Sequence, residues 1–596
     1  MTSAAKATLK ATAGGGAGSA GIVSTVTNGI RTTGAATLTL LSNTYNITAA
    51  SGVNSITTLT IAPLTAVTFG LGTGAGVATI NNASLGNIAA TTGYIFGSAT
   101  SGAVTVNTTA PFTSRALTFI SAGGITLTNA FNGLTSLTTT APTGITTING
   151  ILGGTTAIGA VTMTGQDLAI NANLTSNAAI SGAFTRDITI GAAATITNGA
   201  ASALTLTAAN NSTVGTGNLT INGNLNVGTG ALTLLSGING TRPSWTITGT
   251  NLTRQGATFG VTSITGFNDL TVNRDILSSG NIVLTSFRDL TLNAANTITT
   301  GAAGALTLQA ANASTVGTGN LNLNGNVSVG TGGVTFRSGI NVTRPNYTIT
   351  ATNFVPLTTF GAIDIQGFQD IAINRDINSS GNITVVAFRD LTLNVLNTLT
   401  TGAAGALNLQ AANGNTGATG NLNVNGNVAV GTGTVTFRSG INVTRPSYTM
   451  TATNFVPLTT FGPIDIQGFL DIFINRNITT SGSITILSFR DLNLNAANTL
   501  TTGLAGSLTL QAANNNTGNV GNLNLAGNLS VGTGGLTLRS GANGTRPNWT
   551  ATATNLVLQG ATLGTVDIRG FLDTVFDRDL PSSAGITIVG FRDVTL

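Results

Sequence analysis

Short runs in which apolar and polar residues alternate recur along the chain, separated by clusters of Gly, Asn, Thr and Ser. Residues 306–308 (Leu-Thr-Leu), 321–323 (Leu-Asn-Leu), 334–336 (Val-Thr-Phe), 347–349 (Tyr-Thr-Ile), 363–365 (Ile-Asp-Ile), 371–373 (Ile-Ala-Ile) and 383–385 (Ile-Thr-Val) are one such series. Period-two alternation predicts strands with one face inward. The Gly-Asn, Gly-Thr-Gly and Ser-Ser-Gly segments between them suit corners, because their residues tolerate positive φ. Each run is too short for a free-standing hairpin, so its backbone groups must be paired by other copies of the same element.

Two nested periods supply those copies. A phrase built on Phe-x-Asp, an apolar-x-apolar pair and Asn starts at Phe267 and Phe287, Phe368 and Phe388, Phe469 and Phe489, and Phe571 and Phe591. Members of a pair are 20 residues apart, and pairs recur every 101 or 102 residues. Arg-Asp pairs at Arg186, Arg288, Arg389, Arg490 and Arg592 carry the same long period. A short period inside a long one predicts a solenoid whose coils were duplicated in groups. Stacked coils pair strands in parallel about 4.8 Å apart, and 596 residues in coils of roughly 20 to 25 residues give about 24 to 30 coils, a rod on the order of 120 to 140 Å. The expected fold is therefore an all-β parallel β-helix. Residues 1–164 read as diverged coils and 165–596 as regular repeats, with modules at about 186–287, 288–388, 389–489 and 490–591 and the start of a fifth at 592–596. Because "FRDVTL" stops inside a repeat, the chain reads as a piece of a longer product.

Composition agrees. With 41% hydrophobic and 7% charged residues the chain is too apolar to be disordered, yet no apolar run is long enough to span a membrane. Gly, Thr, Asn and Ala stand where helix formers would, so essentially no helix is expected. All 17 acids are Asp, and His and Cys are absent. That removes disulfides, thiol chemistry and the commonest general base. Beyond residue 166 there are 18 Arg against 17 Asp, spread along the repeats with no basic stripe for nucleic acid.

In a stack, Phe287 is expected on Phe267, Asp289 on Asp269 and Asn293 on Asn273, as aromatic, acidic and amide ladders. Asn ladders satisfy each other's donors and acceptors. A carboxylate column needs compensation, and the neighbouring Arg288, Arg389, Arg490 and Arg592 supply it without a metal ion. No metal site, cofactor or catalytic residue is expected. An enzyme would need a unique pair of carboxylates, and the densest acidic spot, Asp577-Arg578-Asp579, stands in an otherwise repeated segment. Thr-x-Thr triplets such as Thr37-Leu38-Thr39 and Thr205-Leu206-Thr207 suggest a hydroxyl array for ice or mineral, but no long Thr ladder is visible in the sequence.

One element breaks the monotony. Arg242-Pro243-Ser244-Trp245, Arg344-Pro345-Asn346-Tyr347, Arg445-Pro446-Ser447-Tyr448 and Arg546-Pro547-Asn548-Trp549 occupy the same phase of each module. Proline interrupts a sheet, so these are expected as loops leaving the coil. Arg242, Trp245, Arg344, Tyr347, Arg445, Tyr448, Arg546 and Trp549 are thus the candidate ligand-contact residues, on the view that Arg and aromatic rings repeated along one face suit sugars. The plainer alternative has each ring capping a corner while its Arg pairs with a nearby Asp.

The phrases "GNLTINGNLNVGTGALTLLSG", "GALTLQAANASTVGTGNLNLNGNVSVGTGG" and "FRDLTLNAANTITTGAAG" resemble the repeat regions of filamentous-haemagglutinin-type bacterial exoproteins and related adhesins. The resemblance covers most of residues 165–596, and the Asn-Pro-Asn-Gly signature of that family's secretion domain has no counterpart here. It implies a right-handed parallel β-helix, exported to the bacterial surface or beyond, that works in attachment or aggregation, with host or neighbouring-cell glycans or surface proteins as partners and lateral or end-to-end self-association. A filament, surface-layer or sheath protein shares the same texture and is the alternative, followed by a polysaccharide-degrading β-helix enzyme.

Overall fold

A computed structural model describes residues 2–3, 7–11, 21–32, 37–55, 57–110, 112–209, 217–237, 242–311, 319–339, 344–412, 420–440, 445–513, 521–541 and 545–596. The chain divides into two compact units, Met1–Asn296 and Thr297–Leu596. Each is a parallel β-solenoid in which strands of successive coils lie side by side.

In the second unit a coil has three faces. Leu306–Gln309, Val334–Arg337, Ile363–Gln366, Ile383–Val386 and Leu407–Gln410 follow one another on the first face. Tyr347–Thr350, Ile371–Asn374, Leu391–Leu393 and Leu422–Val424 form the second. Ile377–Asn378, Thr398–Thr400, Asn427–Val430 and Phe455–Pro457 form the third. Leu306 pairs with Val334, Val334 with Ile363, Ile363 with Ile383 and Ile383 with Leu407. Successive coils therefore advance by 28, 29, 20 and 24 residues, which close a module of 101. The unequal coils explain why a 20-residue period appears only once per module.

All seven expected strands of this module are present, each reaching one residue further than the alternation marked except 321–323. The third face was missed, because its strands are short and one ends in Pro356. Inward residues of the three faces, such as Leu306, Leu308, Ile371, Ile373 and Val428, are fully buried, each burial stabilising by about 1.5–3 kcal/mol. The first face runs without a break, but the second is interrupted once per module, between Leu422–Val424 and Tyr448–Thr451. Arg445-Pro446 enters there, and proline has no N–H for a ladder. The Ser439 hydroxyl accepts the Leu422 N–H at 3.1 Å, and Ser338 and Ser540 do the same for Leu321 and Leu523, so side chains replace the missing strand.

The first unit carries the same pattern from Ile180, with Ile180, Leu204, Leu232, Thr262 and Ile282 in successive register. Its earlier coils are irregular. Leu59 pairs with Tyr94 thirty-five residues on, and that long coil holds one extra strand, Phe69–Gly72, beside Ala78–Ile80, which continues the strand of the coil before. It also holds a five-residue helix, Asn82–Gly86, an exception to the all-strand expectation. Asn81 caps it by accepting the Ser84 N–H at 2.8 Å, the local bond that lets Asn start a helix turn.

Candidate contact surface

The Arg-Pro-x-aromatic elements turn inward. Trp245, Tyr347, Tyr448 and Trp549 are 5%, 3%, 2% and 4% exposed, and each opens a second-face strand. Their rings meet the first Phe of the following pair: Trp245 lies 5.5 Å from Phe267, Tyr347 5.1 Å from Phe368, Tyr448 5.3 Å from Phe469 and Trp549 5.6 Å from Phe571. Arg242, Arg344 and Arg445 are buried and Arg546 is half-buried. Their Nε atoms donate to Gly237, Gly339, Gly440 and Gly541 carbonyls. Each guanidinium covers the ring of the second Phe, at 4.1 Å for Phe287 and 3.7 Å for Phe388, Phe489 and Phe591. Burial lowers the pKa of Arg242, Arg344 and Arg445 and raises those of Tyr347 and Tyr448. The expected loop is thus a packed corner whose ring and guanidinium face protein, not solvent. The Arg partner is a carbonyl and a Phe, not an Asp. Residues 238–241, 340–343, 441–444 and 542–544, just upstream, lie outside the described residues.

The two recurring motifs interlock at that corner. Gly266, Gly367, Gly468 and Gly570 have φ of +85°, +86°, +87° and +85°, a region open mainly to glycine. The Phe that follows is fully buried. The second Phe of each pair stays outside, under its Arg, so the expected Phe ladder exists only in the backbone, where Phe287 N–H donates to the Phe267 carbonyl at 2.7 Å. The third residue of Arg-Pro-x-aromatic alternates between Ser and Asn, and both hold the neighbouring Asp. Ser244 and Ser447 hydroxyls donate to Asp269 and Asp471, while Asn346 and Asn548 accept the backbone N–H of Asp370 and Asp573.

Arg compensation of the Asp column is realised across coils. Arg288 donates through Nε to Asp269 at 2.7 Å and through a terminal nitrogen to the other oxygen, a bidentate pair, and its Nε is 3.6 Å from Asp289. Arg186 with Asp167, Arg389 with Asp370, Arg490 with Asp471 and Arg592 with Asp573 repeat it. Burial would raise Asp269 and Asp471, but hydrogen bonds from Arg and Ser and from the backbone N–H of the next Asp hold both below the usual carboxylate range. The Asn ladder is also present: Asn293 donates to Asn273 at 3.3 Å, and Asn394 to Asn374 and Asn495 to Asn475 likewise.

Within each unit the first face runs without a break and offers its outward side to solvent. In the first unit the central column reads Thr8, Thr39, Thr60, Ile95, Thr118, Thr138, Thr162, Ser181, Thr205, Thr233, Ser263 and Val283 in continuous register. Thr therefore stacks in short runs, Thr8 to Thr60 and Thr118 to Thr162, on either side of Ile95. This stacking is invisible in sequence because coils of unequal length put its members at unequal spacings. In the second unit Asp replaces Thr once per module, and a second outward column becomes rich in Gln and Arg, with Gln410, Arg438 and Gln467 in register. Arg337 pairs with Asp364 and Arg438 with Asp465, while Gln366 and Gln467 donate to the same carboxylates at 2.5 Å. In the first unit the corresponding residues are Leu235 and Ser263, so neither half of the ion pair is present there.

Among the described residues no cluster of three or more carboxylates could hold a metal ion. No helix among them is long and apolar enough to cross a membrane. No protein-family model matches the sequence, and no curated protein or solved structure matches it either.

Proposed function

We propose that the chain is the repetitive portion of a secreted or cell-surface bacterial adhesin of the filamentous-haemagglutinin type, using its solenoid face for attachment or aggregation. The observation that supports this most is the first face of each unit, continuous within it, which repeats hydroxyl groups in the first unit and amide and guanidinium groups in the second at about 4.8 Å intervals from coil to coil. Repeated weak contacts along such a surface add to high avidity when a polymer or a cell presents repeated ligands. No residue is assigned a catalytic role. The buried aromatic corners serve as the staples that hold coils of different length in phase.

The test is a binding screen of the purified chain against glycans, matrix proteins and whole cells, with electron microscopy of the same sample. Saturable binding that shifts on substitution of outward Thr, Gln and Arg residues is the expected result. Ordered filaments or sheets without binding would replace the adhesin with a structural surface layer. A second reading rests on the Thr-rich column of the first unit, whose runs of methyl and hydroxyl groups at Thr8, Thr39 and Thr60 and at Thr118, Thr138 and Thr162 suit ice or mineral. Adsorption to ice or to a mineral powder added to that screen, with no binding to the other ligands, would select it.

A further inference from the structure

The last module departs from its predecessors at one position of the Gln/Arg column. Where Gln366 and Gln467 each donate to an Asp already paired with Arg, the last module has Arg569, whose Nε donates to Asp567. Asp567 also accepts from Arg539, at 3.1 Å through Nε and again through a terminal nitrogen. Two guanidinium groups thus share one carboxylate, where the earlier modules have one guanidinium per carboxylate. The Asp567 side chain is 12% exposed, against 44% for Arg539 and 49% for Arg569, so the surplus positive charge faces solvent. The terminal nitrogens of Arg569 make no hydrogen bond to the described residues.

These side chains border a cleft of about 300 Å³ lined by Gln511, Ala512, Ala513, Arg539, Ser540, Gly541, Arg569 and Gly570. No acid is among its described lining residues. Two of them have positive φ, Ala513 at 54° and Gly570 at 85°. Behind Gly541, Arg546 donates to that residue's carbonyl. Arg539 and Arg569 stand in register on adjacent strands, so their guanidinium groups follow one another at about 4.8 Å. Guanidinium forks match carboxylate and sulfate oxygens in geometry as well as charge.

We propose that the cleft around Arg539 and Arg569 binds the acidic group of an anionic polysaccharide, a uronate carboxylate or a sulfate ester. The site occurs once in residues 297–596, because only this module has the second Arg. It does not depend on the attachment role, since purified chain and soluble sugar suffice to detect it.

Calorimetric titration of the full chain with oligogalacturonate, a sulfated oligosaccharide of equal length, a neutral oligosaccharide and inorganic sulfate tests it. Binding of either acidic oligosaccharide, weakened by salt, is expected, and the one that binds names the acidic group. Arg569→Gln installs the residue that two other modules carry, so folding is retained, and affinity should fall on the order of tenfold. Gln467→Arg should create a second site and raise the stoichiometry from one to two. Equal binding by wild type and Arg569→Gln, equal binding of the neutral sugar, or inorganic sulfate binding as tightly as the oligosaccharides would each overturn the proposal, the last reducing the cleft to a simple ion site. An unchanged stoichiometry in Gln467→Arg would overturn it as well.

Discussion

At the scale of single residues, the corner of each module depends on a glycine that sequence alone does not single out among 79. Gly468 has φ of +87°, and a Cβ there would come within 2.2 Å of the Ser439 carbonyl oxygen. The conformation turns Phe469 inward against Tyr448 while Phe489 stays outside beneath Arg445. Gly468→Ala meets both a disfavoured backbone region and a backbone clash, so a local loss of about 2 kcal/mol or more is expected. Amide exchange would show it as faster exchange over the coils around residues 448–490, with distant modules protected as in the wild type. The same change at Gly249, where an added Cβ meets nothing within 4 Å and whose φ is not positive, should leave exchange unaltered.

Between elements, the Arg–Asp pairs stitch one coil to the next, and their chemistry sets a pH dependence. The folded-state pKa values of Asp269 and Asp471 lie below their ordinary value, so the unfolded chain takes up protons first as the solution is acidified. Their stabilisation is complete above about pH 5 and is lost as pH falls through 4 and below. Urea midpoints should be level from pH 7 to 5 and drop towards pH 3. Asp471, 4% exposed, accepts from Arg490, Ser447 and the Asp491 N–H, so Asp471→Asn should cost about 1–2 kcal/mol at pH 7 and make the acid drop shallower. A midpoint in Asp471→Asn equal to wild type at pH 7 would remove the stitch from the account. The strands and these pairs were legible because alternation and adjacency are local signals. The corner was not: Arg242 lies over Phe287 and Trp245 against Phe267, contacts between motifs 45 and 22 residues apart, and the coil lengths that join them emerge only from the register. The same ignorance of coil length hid the Thr column and left open whether the rings cap a corner or face solvent; they cap the corner, with a Phe and not an Asp beside each Arg.

At the scale of the whole molecule, stability in a stacked fold is a sum of coil and neighbour contributions, so complete modules are interchangeable units. Residues 389–489 begin after Phe388 and end with Phe489, two positions equivalent in coil, face and covering Arg. Removing that segment joins Phe388 to Arg490 and recreates the Phe-Arg-Asp phrase, with every coil of the neighbouring modules intact. Removing 389–463 instead joins Phe388 to Ile464, so one first-face strand would lead straight into the next with no second or third face between them. Parallel neighbours cannot be joined without such a crossover. The full-module deletion should keep the wild-type far-UV spectrum per residue and the wild-type urea midpoint, whereas the shorter deletion should lose ordered signal and show early exchange in the coils on both sides. Equal behaviour of the two would mean that the four-coil module is a trace of duplication only, whereas the expected contrast makes it the unit in which this solenoid is lengthened or shortened without loss of register.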